Sequence, residues 1–213
     1  IAFCFPDTYE IGMSNVGMRI LYGVMNNMEG VWCERVFAPW GDMEEAMHRE
    51  HIPLWALESQ DPVKDFDMIA FTIGYEMCYS NIVNMLRLSG VPLHSNQRQG
   101  LKNMVFAGGV CAFNPEPLAD FVDFFALGEG EEITPEIIAL YDRAKTENWS
   151  KDEFLLEVSK ISGVYVPSFH SHEYDGEGKL KAVTVREGTP AVITKRIVED
   201  LDHAFWPTQM IVP

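Results

Sequence analysis

Short apolar runs recur along residues 1–145, each stopped by glycine, proline or a polar loop and followed by an amphipathic stretch. A strand covered by helices on both faces reads as a continuous apolar run, so this alternation predicts repeated strand–helix units around a mostly parallel sheet. Ile1-Ala2-Phe3-Cys4-Phe5, ended by Pro6, is the first such run. Further strands are expected over 31–37, over 68–73 closed by Gly74, over 104–107 closed by Gly108-Gly109, and over 124–127 closed by Gly128. Between them, Met13, Ile20, Leu21, Val24 and Met28 recur at helical spacing with Ser14 available as a cap, and Asp42 is placed to cap a charged helix over 43–51. Ile82, Met85, Leu86 and Ser89 face one side of a helix ended by Gly90, and Pro135 fits the first turn of another. The fold expected is α/β, doubly wound, with about five mostly parallel strands in a Rossmann-like sheet.

The pattern changes after residue 145. A short helix to about Lys160 and a β-rich appendage are expected over 146–199, with 180–187 and 191–199 alternating like antiparallel strands and a turn at Asp175-Gly176-Glu177-Gly178. Residues 200–213 hold two prolines and no helical period, which reads as a linker.

Charge narrows the function. The net charge of −16 repels phosphate backbones, so direct nucleic-acid binding is not expected. No apolar run nears the roughly 20 residues that span a bilayer, so no membrane partner is expected either. Cys4, Cys33, Cys78 and Cys111 are scattered without a C-x-x-C pair, which excludes a locally encoded zinc or iron–sulfur site and suits reduced thiols in the cytoplasm. His48 and His51 lie one helical turn apart, and His170 and His172 would share a strand face. Both pairs look solvent-facing and neither has a third ligand at useful spacing, so no metal site is expected.

In an open α/β sheet the loops after the strands gather at the carboxyl edge, where ligands bind. Asp7 lies just past the first strand, with Gly12 opening the next helix; Thr72 stands at the end of the third strand, and Gly74 and Tyr75 follow it. Gly108 and Gly109 remove side chains after the fourth, which suits either a tight turn or something flat against the sheet edge. Asn114-Pro115-Glu116-Pro117 fixes an extended loop beside them. Gly128-Glu129-Gly130-Glu131 interleaves glycines with carboxylates at a helix start, where backbone N–H groups can meet a polar ligand, though acids also suit that dipole. None of this is a G-x-G-x-x-G fingerprint, a P-loop or a G-x-S-x-G elbow. A stand-alone enzyme acting on a nucleotide or sugar would use Asp7, Glu10, Glu76 and Glu129, but no cation accompanies them to hold a phosphate.

Together these loops resemble a known arrangement. Asp7-x-Tyr9-x-x-Gly12 is similar to the D-x-H-x-x-G signature of cobalamin-binding domains, with tyrosine in place of histidine. Thr72-Ile73-Gly74 stands where that fold has its S-x-L segment, and Gly108-Gly109 where it has paired glycines. Gly128-Glu129-Gly130-Glu131 resembles the G-E-G-E loop of cobalamin-binding domains that precede radical SAM cores. The 6–15 run, residues 113–120, and the closing Asp200-Leu201-Asp202 with Ile211-Val212-Pro213 resemble one uncharacterised family of cobalamin-type radical SAM proteins across essentially the whole chain.

The resemblance implies an N-terminal domain that binds cobalamin, with a radical SAM core in cis beyond the linker. S-adenosylmethionine and an iron–sulfur cluster are expected only in that downstream domain, since no C-x-x-x-C-x-x-C motif occurs here. The cofactor-binding set implied is Asp7, Tyr9, Gly12, Thr72, Gly74, Tyr75, Gly108, Gly109, Gly128, Glu129, Gly130 and Glu131, with no catalytic residue in this chain. A phenol of pKa near 10 is a poor substitute for neutral imidazole beneath cobalt. Either cobalamin binds with no histidine below the metal, or the domain kept the fold as a docking module and lost the cofactor.

Overall fold

The structure, a computed structural model, describes residues 1–208. A six-stranded sheet runs in the order β2-β1-β3-β4-β5-β6: β1 is Ala2–Phe5, β2 Glu34–Phe37, β3 Met68–Thr72, β4 Met104–Gly108, β5 Phe124–Ala126 and β6 Val164–Tyr165. The first five are mutually parallel, and β6 pairs antiparallel to β5 through Phe125–Tyr165 and Ala126–Val164. The expected doubly wound fold is therefore present, with one antiparallel edge strand added. Strand order reverses between β1 and β3, which is where the crevice of such a sheet opens.

The apolar runs still alternate by face. Ala2, Cys4, Ile69, Phe71, Val105, Ala107 and Phe125 enter one core, while Phe3, Phe5, Met68, Ala70, Met104, Phe106 and Phe124 enter the other. Helices α3 (Gly41–Glu50) and α4 (Tyr79–Leu88) cover the first face through Met47, Ile82, Met85 and Leu86. Helices α2 (Val16–Asn26), α5 (Gly130–Thr146) and α6 (Lys151–Val158) cover the second through Met18, Met25, Ile133, Ile137, Phe154 and Val158. The core thus continues past residue 145 into α6 and β6. Outside it stands the hairpin of β7 (His170–Tyr174) and β8 (Leu180–Val185).

Several local expectations are corrected. The first helical stretch is two helices, α1 (Tyr9–Ser14) and α2, broken at Asn15, whose extended φ,ψ of −75°, 116° ends one and whose side chain accepts the Met18 N–H at 2.8 Å to begin the other. Ser14 only back-bonds to the Ile11 carbonyl. Trp40, not Asp42, is the N-cap of α3, and the Asp42 carboxylate accepts the Met43 N–H within the first turn. The second strand starts at Glu34 rather than 31.

The strand at 180–185 pairs with 170–174, not with 191–199, around a turn where Asp175 Oδ1 accepts N–H groups from Glu177 and Lys179, both at 2.9 Å. Residues 191–199 instead run across the loop after β5: Arg196 N–H donates to the Leu127 carbonyl at 2.9 Å, and Glu129 N–H to the Arg196 carbonyl at 3.1 Å. The expected linker over 200–213 is described only to 208, where Phe205 folds back onto Gly23 of α2. Ile211-Val212-Pro213 lie outside the described residues.

A buried ion cluster ties the amino edge. Asp123 accepts from Arg98 Nη2 at 3.0 Å and from Val105 N–H at 2.7 Å, with the Lys151 ammonium 2.6 Å from its other oxygen. Arg98 also donates to the Pro92, Leu93 and Phe121 carbonyls, so α6 and two loops share one anchor.

Candidate functional site at the carboxyl edge

Because β1, β3, β4 and β5 are parallel, the loops carrying the residues singled out in the sequence leave the sheet on the same edge. Asp7 is fixed on all sides. Its Oδ1 accepts the Thr8 N–H at 2.8 Å, its carbonyl accepts the Ala38 N–H at 2.9 Å, and its Oδ2 accepts the Tyr75 hydroxyl at 2.9 Å. The last bond joins the β1 and β3 loops across the point where strand order reverses. The carboxylate favours the protonated phenol and pushes the Tyr75 pKa up. Tyr9 stands 46% exposed, its ring edge-on to Phe37 at 5.4 Å.

The glycines separate into two kinds. A Cβ at Gly12 would lie 2.3 Å from the Phe37 ring, so this glycine lets α1 sit on Phe37 and Phe5 rather than admitting a ligand. At Gly128, where φ is 111°, a Cβ would meet the Arg196 carbonyl oxygen, and at Gly130 it would lie 2.8 Å from the Leu21 side chain. Gly109 has φ 102° and passes against the Ile73 backbone, 2.7 Å from Cβ to carbonyl oxygen. The Ile73 N–H donates to Gly108 O at 2.7 Å and Cys111 N–H to Ile73 O at 3.0 Å, which locks the β3 and β4 loops together. Gly74 alone among the expected glycines faces open space, with nothing within 4 Å of an added Cβ.

Glu129 is engaged as well: its carboxylate accepts the Val198 N–H. Arg196 grips Glu132 at 3.0 Å and Glu136 on α5, and those carboxylates hold its guanidinium pKa up. Glu131 is half-buried and has no hydrogen-bond partner among the described residues.

A cavity of about 380 Å³ opens at this edge and runs down between the sheet and helices α2 and α5. Thr72, Gly74, Gly108, Gly109, Gly128, Glu129, Gly130 and Glu131 line it, over a mostly apolar floor of Phe3, Met25, Ala70 and Phe106. The sequence reading missed Asn15, Gly17, Leu21 and Thr134 on its helical wall. The signal available was the helix break at Asn15, with a glycine two residues on. Asp7, Gly12 and Tyr75 line none of it, and Tyr9 belongs to a neighbouring cavity. A larger hollow of about 630 Å³, lined by Ile1, Met68, Tyr141 and Lys145, lies at the opposite edge, where the strands begin.

No histidine lines the cavity. His94 stacks on Phe121 at 5.2 Å, just before the amino end of β5, whereas Tyr9 follows the carboxyl end of β1. His170 and His172 are not solvent-facing as expected but half-buried, His170 against Tyr165 at 4.7 Å and His172 Nδ1 4.0 Å from Glu116. Among the described residues no cluster of His, Cys, Asp and Glu could hold a metal ion. No helix among them is long and apolar enough to cross a membrane.

Fold and site together define an open α/β domain with a cavity among the loops of its carboxyl edge. Residues 17–167 match the family described as radical SAM proteins, N-terminal, and the chain belongs to that family. An uncharacterized protein of Methanocaldococcus jannaschii is 24% identical over 142 residues, 65% of this chain and 26% of that protein. The solved radical S-adenosylmethionine methyltransferase TsrM of Kitasatospora setae, with tryptophan substrate and a SAM analogue bound, aligns over 83% of this chain and 29% of its own at 14% identity and a TM-score of 0.45. The chain therefore spans about a quarter of the length of the curated relative it matches.

Proposed function

We propose that this domain holds cobalamin for a radical SAM core in cis, with the cofactor's nucleotide tail in the cavity between the sheet and α2/α5. The observation that carries this reading is the cavity itself. Its 380 Å³ sits at the lower end of the ~300–1,000 Å³ range of small-molecule sites, enough for a heterocycle and its linker but not for a macrocycle. The tail would lie against Thr72, Gly74 and Gly108 on the sheet side and Gly17, Leu21 and Thr134 on the helical side. Glu131 and Asn15 would meet its polar groups. The corrin would rest outside, over the Asp7–Tyr75 pair, with Tyr9 beside or beneath it.

Bound cobalamin would supply methyl-carrying or radical chemistry at cobalt; S-adenosylmethionine and an iron–sulfur cluster would belong to the downstream core. This chain's residues bind, orient and exclude water, and none of them is assigned a proton transfer. The lower face of the metal receives no histidine in this reading.

A second reading has its own observation. The space above Gly12, Gly128 and Gly130 is filled by Phe37, Arg196 and Leu21, which suits a fold retained as a docking module without cofactor. Titrating hydroxocobalamin into the chain and following the visible spectrum separates the two. Saturable binding that Gly74→Trp abolishes in a chain that still folds supports the first, because Gly74 lines the cavity and a Cβ there meets nothing within 4 Å. No spectral change with the folded wild-type chain supports the second.

A further inference from the structure

The neighbouring cavity, about 470 Å³, opens at the carboxyl end of β2, outside the cobalamin-tail site. Four aromatic rings line it, from Tyr9, Phe37, Trp40 and Trp55. Trp40 is 67% exposed, and it caps α3 without using its side chain there. A single exposed aromatic is ordinary, but several around one concavity leave π-faces available to an occupant.

Charge decides what the occupant is. The one cation in the lining, Arg35, is already engaged: Nε lies 2.7 Å from Glu58 Oε1, its backbone N–H donates to Oε2, and the guanidinium sits 4.6 Å from the Tyr22 ring centroid. Two carboxylates also line the cavity. Asp42 accepts the adjacent Met43 N–H, and Glu10 has no partner among the described residues. An anionic ligand would meet uncompensated negative charge here. A cation within about 6 Å of the ring faces would be attracted by their quadrupoles and by the carboxylates at once.

We propose that this cavity binds an organic cation carrying apolar substituents, of the quaternary ammonium class. The site shares no residue with the tail cavity, and its test reads Trp40 and Trp55, which the cobalamin reading does not use, on the chain without cobalamin.

The test is an NMR titration of the 213-residue chain with choline and with its neutral isostere 3,3-dimethylbutan-1-ol, following the Trp40 and Trp55 indole N–H signals. Choline should give a saturable shift confined to this cavity, and the isostere should bind roughly fivefold more weakly or worse. Trp40→Ala should weaken choline about tenfold, and its exposure keeps the fold intact. The double variant Glu10→Gln/Asp42→Asn should reduce choline binding while leaving the isostere unchanged. Equal affinity for the two probes would overturn the proposal in favour of a merely apolar slot, and so would the absence of any saturable shift.

Discussion

Gly109 has φ 102°, and a Cβ there would sit 2.7 Å from the Ile73 carbonyl oxygen. Substitution by alanine or anything larger should therefore cost ~1–3 kcal/mol in urea unfolding, whatever the ligand does. Loss of cobalamin binding in such a variant would report the fold, which is why Gly74 is the informative position. Tyr9 differs: its ring packs on Phe37, and its hydroxyl has no partner among the described residues. Tyr9→Phe should leave cobalamin affinity within about tenfold, on the order of 1.4 kcal/mol, by the same spectral titration. Thiol reactivity grades similarly. Burial pushes Cys33 up to about 12 and Cys4 higher still, whereas Cys111 is only partly covered. A thiol-specific reagent applied to the native chain near neutral pH should modify Cys111 first and leave Cys4 and Cys33 untouched until unfolding.

Asp123 joins elements rather than atoms, since Arg98, Lys151 and the Val105 amide converge on a side chain with no exposure. Asp123→Ala leaves two cations with a shared partner removed, and should destabilise by about 3–5 kcal/mol in chemical denaturation. The hairpin is held more loosely. Arg186 on its return path pairs with Asp152 of α6 at 2.8 Å through Nη2 and holds that carboxyl below its ordinary value of 3.8. The contribution is full above pH 3.8 and fades as pH falls through the lowered value, so hydrogen-exchange protection in 170–185, taken relative to the intrinsic rate at each pH, should fall at acid pH while β3 and β4 stay protected. These joints were not legible in the sequence. The alternation at 191–199 was seen, but period two reveals a face and not a partner, and this segment pairs with the backbone of the loop after β5. Strands β1, β3, β4 and β5 were legible, because burial on both faces turns each into an apolar run closed by proline or glycine, whereas β2, at the sheet edge, carries Glu34 and Arg35 and its start was misplaced by three residues.

At the scale of the whole molecule, topology brings together loops that are more than a hundred residues apart in sequence, from Asp7 to Glu131. The edge could be named from the strand pattern. The cavity's depth could not, because a glycine announces only that a Cβ is unwelcome there. At Gly12, Gly128 and Gly130 what excludes it is the protein's own Phe37, Arg196 and Leu21. What remains open to a ligand is the slot between the sheet and α2/α5, and no histidine reaches it. In the proposed function, cobalamin places its tail in that slot, and cobalt takes no nitrogen ligand from either tail or protein. Electron paramagnetic resonance of cob(II)alamin mixed with excess chain tests this directly. Free cob(II)alamin at neutral pH carries nitrogen superhyperfine splitting from its own benzimidazole. The splitting should disappear on binding; its persistence, whether the nitrogen came from the undisplaced base or from a histidine, would contradict that placement.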